Sequence, residues 1–216
     1  MTSDASQIIK DMSRTADAEL VKQRRSQIVA SAARLFAERG YDRTTVQEVA
    51  REAGISTGLV YQYVRDKEDL LLLSILDVLD SYATEIPAAL DGVSGPLARL
   101  RAAFAAYCRV IDARREATLL AYRSTHSLPP ERRRLIMDGE RKTNRMIEAC
   151  IEDCIAAGLF RPVDTGLVAY QVVMYAHAWA LKYWYFVKRT DLETYIAEGL
   201  DFLQHALLTD KGRKQP

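Results

Sequence analysis

Apolar residues recur at three- and four-residue spacing along almost the whole chain, and no segment alternates as a half-buried strand would. That pattern restricts the fold to helices packed on helices. Its most informative instance lies between Val46 and Leu71. Val46, Val49, Ala50 and Ala53 put one apolar stripe on a short helix. Gly54 follows and can turn the chain sharply at low cost. Ile55 is placed to plug the angle, and Val60 and Val64 give the next helix its inner contacts. Two short helices joined by three or four residues at a glycine form a helix-turn-helix.

The chemistry around that turn suits a polyanion. The chain has a formal net charge of only +1, yet Lys22–Lys67 carries nine Lys or Arg and five Asp or Glu, a local excess of four positive charges. The outer side of the second helix presents Thr57, Gly58, Tyr61 and Gln62, none of them acidic. In a helix-turn-helix this helix enters the major groove with its N-terminal residues leading. Thr57 and Gly58 lie in its first turn, where backbone N–H groups favour phosphate. Tyr61 and Tyr63 offer hydroxyls to phosphates and flat faces to thymine methyls. Gln62 can pair with adenine or stay solvated. Lys67 opens the following helix within reach of a DNA backbone. The alternative is a purely structural αα-corner inside a helical enzyme or carrier.

About nine helices are expected in an all-α fold. The first runs from about Lys22 to Arg39, with Gly40 as its stop. Thr45 with Glu48 fits a capping box for the second, Ser56 or Thr57 caps the third, and Asp66 caps a long fourth to Leu90. The stretch "PAALDGVSGP", residues 87–96, is the clearest break. Two further helices follow it. Pro129 and Pro130 open another, which Gly158 ends. Asp164 caps a helix over Thr165–Val187, and Thr190 with Glu193 fits a capping box for the last, to about Leu208. These limits divide the chain into 22–82 and 91–208. The first twenty residues read as a partly disordered arm without the apolar run of a secretory signal. The longest uncharged stretch, Thr165–Leu181, has 17 residues and contains Gln171 and His177. It reads as a buried helix rather than a membrane span. A cytoplasmic protein is expected.

The run "IVASAARLFAERGYDRTTVQEVAREAGISTGLVYQYVRDKEDLL", Ile28 to Leu71, resembles the TetR family of bacterial transcriptional regulators. Its pieces "LFAERGY", "TTVQEVAREAGIS", "GLVYQYV" and "DKEDLL" occur in that order without gaps. The resemblance implies an all-α homodimer with an N-terminal three-helix DNA-binding domain. It also implies a larger helical domain that binds a small-molecule effector and dimerises. The implied target is double-stranded DNA carrying a palindromic operator, with no catalysis, cofactor or metal. Position by position, the family's DNA contacts fall on Thr45, Thr57, Gly58, Tyr61, Tyr63 and Lys67. Gln62 stands where many members have an aromatic. The C-terminal half, through "AYRSTHSLPPERRRLIMDGERKTN" and "WALKYWYF", is similar to members governing breakdown of fatty acids, aromatic acids or other acyl-CoA substrates.

Residues in the second half suggest a pocket. Phe104, Tyr107, Tyr122, Met137, Met146 and Met174 supply apolar bulk at helical spacing, which is core by default. Arg123, His126 and His177 lie among them, and a few polar groups in an apolar cleft are what a ligand site needs. Arg123 and His126 are expected to hold the acidic or thioester end of an elongated apolar effector, such as an acyl-CoA or fatty acid. Binding is expected to act through the long fourth helix as a lever. "ERRR" with Arg141, Lys142 and Arg145 reads as a solvated face or as an attractor for a CoA phosphate. Cys150 and Cys154, four apart on one helix, have poor disulfide geometry and read as buried structural thiols, with Cys108 also outside any framework. Val168, Val172, Met174, Tyr175, Trp179, Tyr183 and Trp184 make one helix apolar nearly all round. With the stripe Leu192, Ile196, Leu200, Leu203 and Leu207 it is expected to form a four-helix dimer interface. No phosphate loop, nucleophile elbow or metal-spaced acid set occurs.

Overall fold

The computed structural model describes residues 3–214, with side chains described from residue 19 onward. Among these residues there are eleven α-helices, one 3-10 turn and no strand. Phe160 and Leu208 form an isolated bridge. The chain divides into two compact units, residues 1–74 and 75–216, and the division falls inside the fourth helix.

In the first unit α1 (Ser3–Arg39) packs on α2 (Val46–Glu52), and α2 on α3 (Thr57–Val60). α1 starts well before Lys22. The expected disordered arm falls largely on residues 1–18, whose side chains lie outside the described residues. α1 buries Ile28, Val29, Ala32, Leu35 and Phe36, the stripe that its period dictates. Gly40 ends it at φ +87°, with its N–H donating to Phe36 O. Thr44, almost fully buried, then donates its hydroxyl to Gly40 O at 3.0 Å and holds the turn shut. α4 (Lys67–Leu90) opens under Asp66, whose Oδ1 accepts from Asp69 N at 2.7 Å. Pro87 lies inside α4 rather than at a break. It is exposed and only three residues from the helix end, so one missing amide is tolerated there.

The second unit is built around α5 (Pro96–Ala113). It packs against α7 (Pro130–Ala156), α8 (Thr165–Leu181) and α10 (Leu192–Leu207). α6 (Arg115–Ser124) lies on α8 and leads through the 3-10 turn Thr125–Ser127. Two elements exceed the expected nine. The helix expected over Thr165–Val187 breaks at Lys182 (φ −123°, ψ 27°), which creates α9 (Tyr183–Phe186). α11 (Asp210–Arg213) follows Leu207. It is clasped to the α7–α8 loop by Thr209 N to Leu159 O and Lys211 Nζ to Ala157 O, at 2.9 and 2.8 Å. The last long helix is capped by Asp191, whose carboxylate accepts from Thr194 N at 2.7 Å, not by Thr190.

Tyr175 and Tyr195 anchor α10 to α8. Their rings stack at 4.5 Å, and each hydroxyl donates to the other's carbonyl, at 2.9 and 2.7 Å. Gly199 makes the approach possible, because a Cβ there would overlap the Tyr175 ring. Part of the stripe expected at a dimer interface also packs into this chain's own core. Ile196 and Leu207 are buried in it, with Leu192, Leu200 and Leu203 packed alongside. The same holds for Val172 and Trp179. Large apolar groups left outside include Trp184 (66% exposed) and Phe202 (74%). No helix among the described residues is long and apolar enough to cross a membrane.

Candidate nucleic-acid interface and effector cavity

The helix-turn-helix forms from local signals. Thr45 and Glu48 complete the capping box of α2, with Thr45 Oγ1 accepting from Glu48 N at 3.2 Å and Glu48 Oε2 accepting from Thr45 N at 2.8 Å. α2 ends at Gly54, φ +66°, and Ile55 N donates back to Ala50 O. From α1, Gln27 Nε2 donates to Ala53 O at 2.7 Å and fixes the turn. Arg39 pairs with Glu48 at 3.2 Å and adds a second strut. Ser56 caps α3 by accepting from Leu59 N. Regular α3 is four residues long, and turns over Tyr61–Tyr63 extend it to Val64, where Val64 N donates to Val60 O. Val60 and Val64 are buried, as their spacing requires.

The outward face carries the expected residues. Gly58, Tyr61 and Gln62 are exposed, Tyr61 at 49%, while Thr57 and Tyr63 are half-buried. Two of the named residues have other bonds. The Thr45 hydroxyl also donates to Glu48 Oε2 at 3.0 Å, so its proton is committed to the cap. Glu48 stays anionic there: the Thr45 backbone N–H, then the Thr45 hydroxyl, lower its pKa. Lys67 is half-buried, donates to Asp42 O at 3.1 Å and lies 4.3 Å over the Tyr41 ring. Two of its three ammonium protons remain for a phosphate.

The second unit contains a cavity of about 340 Å³. α4 contributes Ile75, Val78, Leu79 and Tyr82, and α5 contributes Tyr107. α6 and the 3-10 turn add Thr118, Ala121, Tyr122 and Thr125. Glu140 and Asn144 come from α7, and Tyr170, Val173, Met174 and His177 from α8. Of the residues expected in a ligand site, Tyr107, Tyr122, Met174 and His177 meet here. The other five do not. Phe104 is buried in the core beside Tyr175, ring centroids 5.8 Å apart. Arg123, His126 and Met137 are exposed and line no part of the cavity. Arg123 follows Tyr122, and one residue on a helix rotates the side chain by about 100°, so the two cannot face the same way. Met146 is half-buried against the core.

Sequence reasoning missed Tyr82, Thr118, Glu140 and Asn144. Glu140 and Asn144 are one turn apart and share a face of α7, but they sit in a run otherwise dense in surface charge. His177 is central to the polar side of the cavity. Its Nδ1 is 2.6 Å from Tyr122 Oη and its Nε2 is 3.2 Å from Tyr107 Oη. Burial pushes its pKa down to about 4, so the ring is neutral at pH 7. One ring nitrogen then donates to one phenol, and the other accepts from the second phenol. Tyr82 stacks on Tyr107 at 4.2 Å. Glu140 is exposed at the edge of the cavity, where partial desolvation raises its pKa, and no Lys or Arg lines the cavity.

Thr118 Oγ1 is buried with no hydrogen-bond partner among the described residues. Removing an unsatisfied buried hydroxyl while keeping its shape stabilises a protein by about 1 kcal/mol. Thr118→Val is therefore expected to raise the melting temperature of the ligand-free protein by about 3 °C in calorimetry. A fall on that substitution would show that the hydroxyl is already satisfied.

The three cysteines are free and buried, and burial raises the Cys108 and Cys154 thiols to about 12. They are inert packing groups rather than nucleophiles.

Beside the cavity runs a more open groove lined by Arg141, Lys142, Asn144, Arg145, Glu148, Gly166, Ala169 and Tyr170. Asn144 and Tyr170 line both spaces. Arg145 pairs there with Glu148 and Glu152 at 3.0 and 2.8 Å.

An exposed recognition helix in one unit and a cavity in another helical unit define a ligand-binding transcriptional regulator. Residues 28–73 match the family described as bacterial regulatory proteins, tetR family, and residues 93–186 match the tetracyclin repressor-like C-terminal domain. The HTH-type transcriptional regulator HbdR of Aromatoleum sp. (strain CIB) is 53% identical over 197 residues, covering 91% of this chain and 86% of its own. The HTH-type transcriptional repressor KstR2 of Mycobacterium tuberculosis (strain ATCC 25618 / H37Rv) is 31% identical over 153 residues, 68% of this chain and 75% of its own. The chain belongs to the TetR family of bacterial transcriptional regulators. It is a DNA-binding regulator that acts as a dimer, and not an enzyme. The fold is shared with AibR, solved in complex with isovaleryl coenzyme A and operator DNA, at TM-score 0.71 and 22% identity over 83% of this chain and 97% of that one.

Proposed function

We propose that this regulator is a cytoplasmic repressor that leaves a palindromic operator when an acyl-CoA binds. Residues 22–82 form the DNA-binding part and 91–208 the effector-binding and dimerising part. Thr57, Gly58, Tyr61, Gln62 and Tyr63 meet the major groove, and Lys67 meets the backbone. Thr45 acts mainly through the helix cap that sets the angle of α2.

The carrying observation is the shared wall between two unlike spaces. The cavity is lined by tyrosines and aliphatic groups without a cation, while the adjoining groove carries Arg141, Lys142 and Arg145. The acyl part fills the cavity and the CoA phosphates lie over the groove. Exposed ion pairs such as Arg145–Glu152 are worth little, so a phosphate can replace the carboxylate at small cost. Relatives agree in kind: KstR2 is a repressor, and AibR was solved with isovaleryl coenzyme A and operator DNA. Arg123 and His126 leave the proposed site. Trp184 and Phe202, exposed in one chain, are the groups a partner protomer would cover.

An effector shifts DNA affinity only by binding one form better than another. α4 gives the buried Leu70 and Leu71 to the first unit and Ile75, Val78 and Tyr82 to the second, so one helix belongs to the cores of both units. The test is an operator footprint upstream of the gene, repeated with octanoyl-CoA. Loss of protection at a concentration that saturates binding is expected. Undiminished protection by a saturated protein would remove the acyl-CoA reading and leave the DNA reading intact.

A further inference from the structure

We propose that Asn144 and Thr118 form the polar subsite of the cavity and donate hydrogen bonds to the carbonyl oxygen of the effector's thioester. The inference deepens the acyl-CoA reading and rests on it for the identity of the ligand, while the subsite rests on the two side chains themselves.

The polar groups of the lining sort by what already holds them. His177 is the most conspicuous, but both its ring nitrogens are taken. Nδ1 lies 2.6 Å from Tyr122 Oη, and Nε2 lies 3.2 Å from Tyr107 Oη. Tyr107 in turn shares a hydrogen bond with Tyr82. The Thr125 hydroxyl donates to Ala121 O at 2.6 Å. Glu140 and Tyr170 are exposed, so water can serve them. Asn144 and Thr118 differ from all of these. They are 7% and 4% exposed, and neither side chain forms a hydrogen bond among the described residues. Buried polar groups left unpaired weaken a fold, and a ligand that bonds them recovers that cost on binding.

Their places fit one kind of ligand. Asn144, on α7, lines both the cavity and the basic groove, and Thr118, on α6, lines the cavity. A molecule with an apolar chain in the cavity and an anionic carrier over the groove must pass its linking group by Asn144. In an acyl-CoA that link is a thioester, whose carbonyl oxygen can accept two hydrogen bonds and donates none. Asn144 Nδ2 and the Thr118 hydroxyl are uncharged donors, matched to an uncharged acceptor. The Thr118 hydroxyl is covered, and a turn about Cα–Cβ, between the two rotamers threonine uses in a helix, presents it to the cavity. A thioether of the same length would leave both donors buried and unpaired. A site built to bond an oxygen rejects the analogue without it for that reason.

The test titrates the full chain by calorimetry at pH 7.5 with octanoyl-CoA and with S-octyl-CoA, the thioether in which a methylene replaces the carbonyl. Octanoyl-CoA should bind about twentyfold tighter, two net hydrogen bonds at about fivefold each. Asn144→Leu and Thr118→Val should each lower that ratio about fivefold, and Thr118→Ser, which keeps the hydroxyl, should preserve it. Thr118→Val should do so in a protein whose melting temperature has risen, which separates lost binding from a damaged fold. A ratio near one in the unsubstituted protein, where no variant has to fold, would overturn the proposal. So would a ratio that either substitution leaves unchanged. Octanamide, a carbonyl without CoA, separates the two readings. If both substitutions weaken its binding while octanoyl-CoA does not bind at all, the subsite stands and the acyl-CoA reading falls. If octanoyl-CoA releases DNA yet binds no tighter than S-octyl-CoA, the acyl-CoA reading stands and the subsite falls. Failure of all three probes to bind would overturn both.

Discussion

Gly199→Ala is expected to lower the melting temperature by about 6 °C. Two effects oppose each other. Alanine in a helix interior is worth up to about 1 kcal/mol over glycine. Against that, the new Cβ would lie 2.7 Å from Tyr175 Cζ, well inside contact distance. Tyr175 has little room to retreat, since it stacks on Tyr195 and the two are tied by reciprocal hydrogen bonds. Overpacking of a fixed ring costs about 3 kcal/mol, so the clash wins by about 2. In a chain of this length that is about 6 °C. Calorimetry on the single variant and on Gly199→Ala in a Tyr175→Ala background separates the terms. With the ring removed the alanine should be neutral or favourable. A higher melting temperature in the single variant would mean that the ring moves freely and that α10 is not held as described.

Tyr61→Ala should leave the melting temperature unchanged and weaken operator binding by at least about tenfold, the scale of one lost base contact. The fold is indifferent because the ring is half exposed and lies on the outward side of α3. Lys67→Ala makes the contrast. It should weaken operator and scrambled DNA alike. It should also cost stability, about 1 kcal/mol, because its ammonium ties Asp42 O and covers Tyr41. Fluorescence anisotropy on both DNAs decides. Equal loss on both for Tyr61→Ala would reassign the tyrosine to a phosphate, and no loss on either would place it outside the interface.

Features set by neighbours in the chain were legible. The Thr45–Glu48 box, the Asp66 and Asp164 caps and the stops at Gly40 and Gly158 each involve residues within about one turn, and the structure has them where the letters put them. Asp191 rather than Thr190 caps α10 because both are good caps one residue apart, and only tertiary packing chooses between them. The break at Lys182 has no glycine or proline to announce it. It lets Trp179 and Phe186 pack on Tyr195, a residue outside any local window, with Tyr183 edge-on to Trp179. The cavity was half legible for a related reason. Helical period says which residues share a face but not which face turns inward, so His177, Tyr122 and Tyr107 were found while Arg123 was placed on the wrong side. Glu140 was hidden by its company: it is an exposed carboxylate amid arginines, and only the approach of Leu79 to neighbouring Gly139 shows that this stretch of α7 borders the cavity.

Asn144 and Tyr170 stand between the cavity and the basic groove and face both. A molecule spanning them binds with two linked fragments, and the link alone can raise affinity by about 10²–10⁴ over either piece. Hydrolysis of the thioester therefore does more than remove one ligand. For the proposed acyl-CoA effector it leaves two fragments, each of which holds the site less well than the whole. The lifetime of the signal is then set by the chemistry that consumes the thioester. On the proposed acyl-CoA reading, release from the operator lasts only as long as the metabolite does.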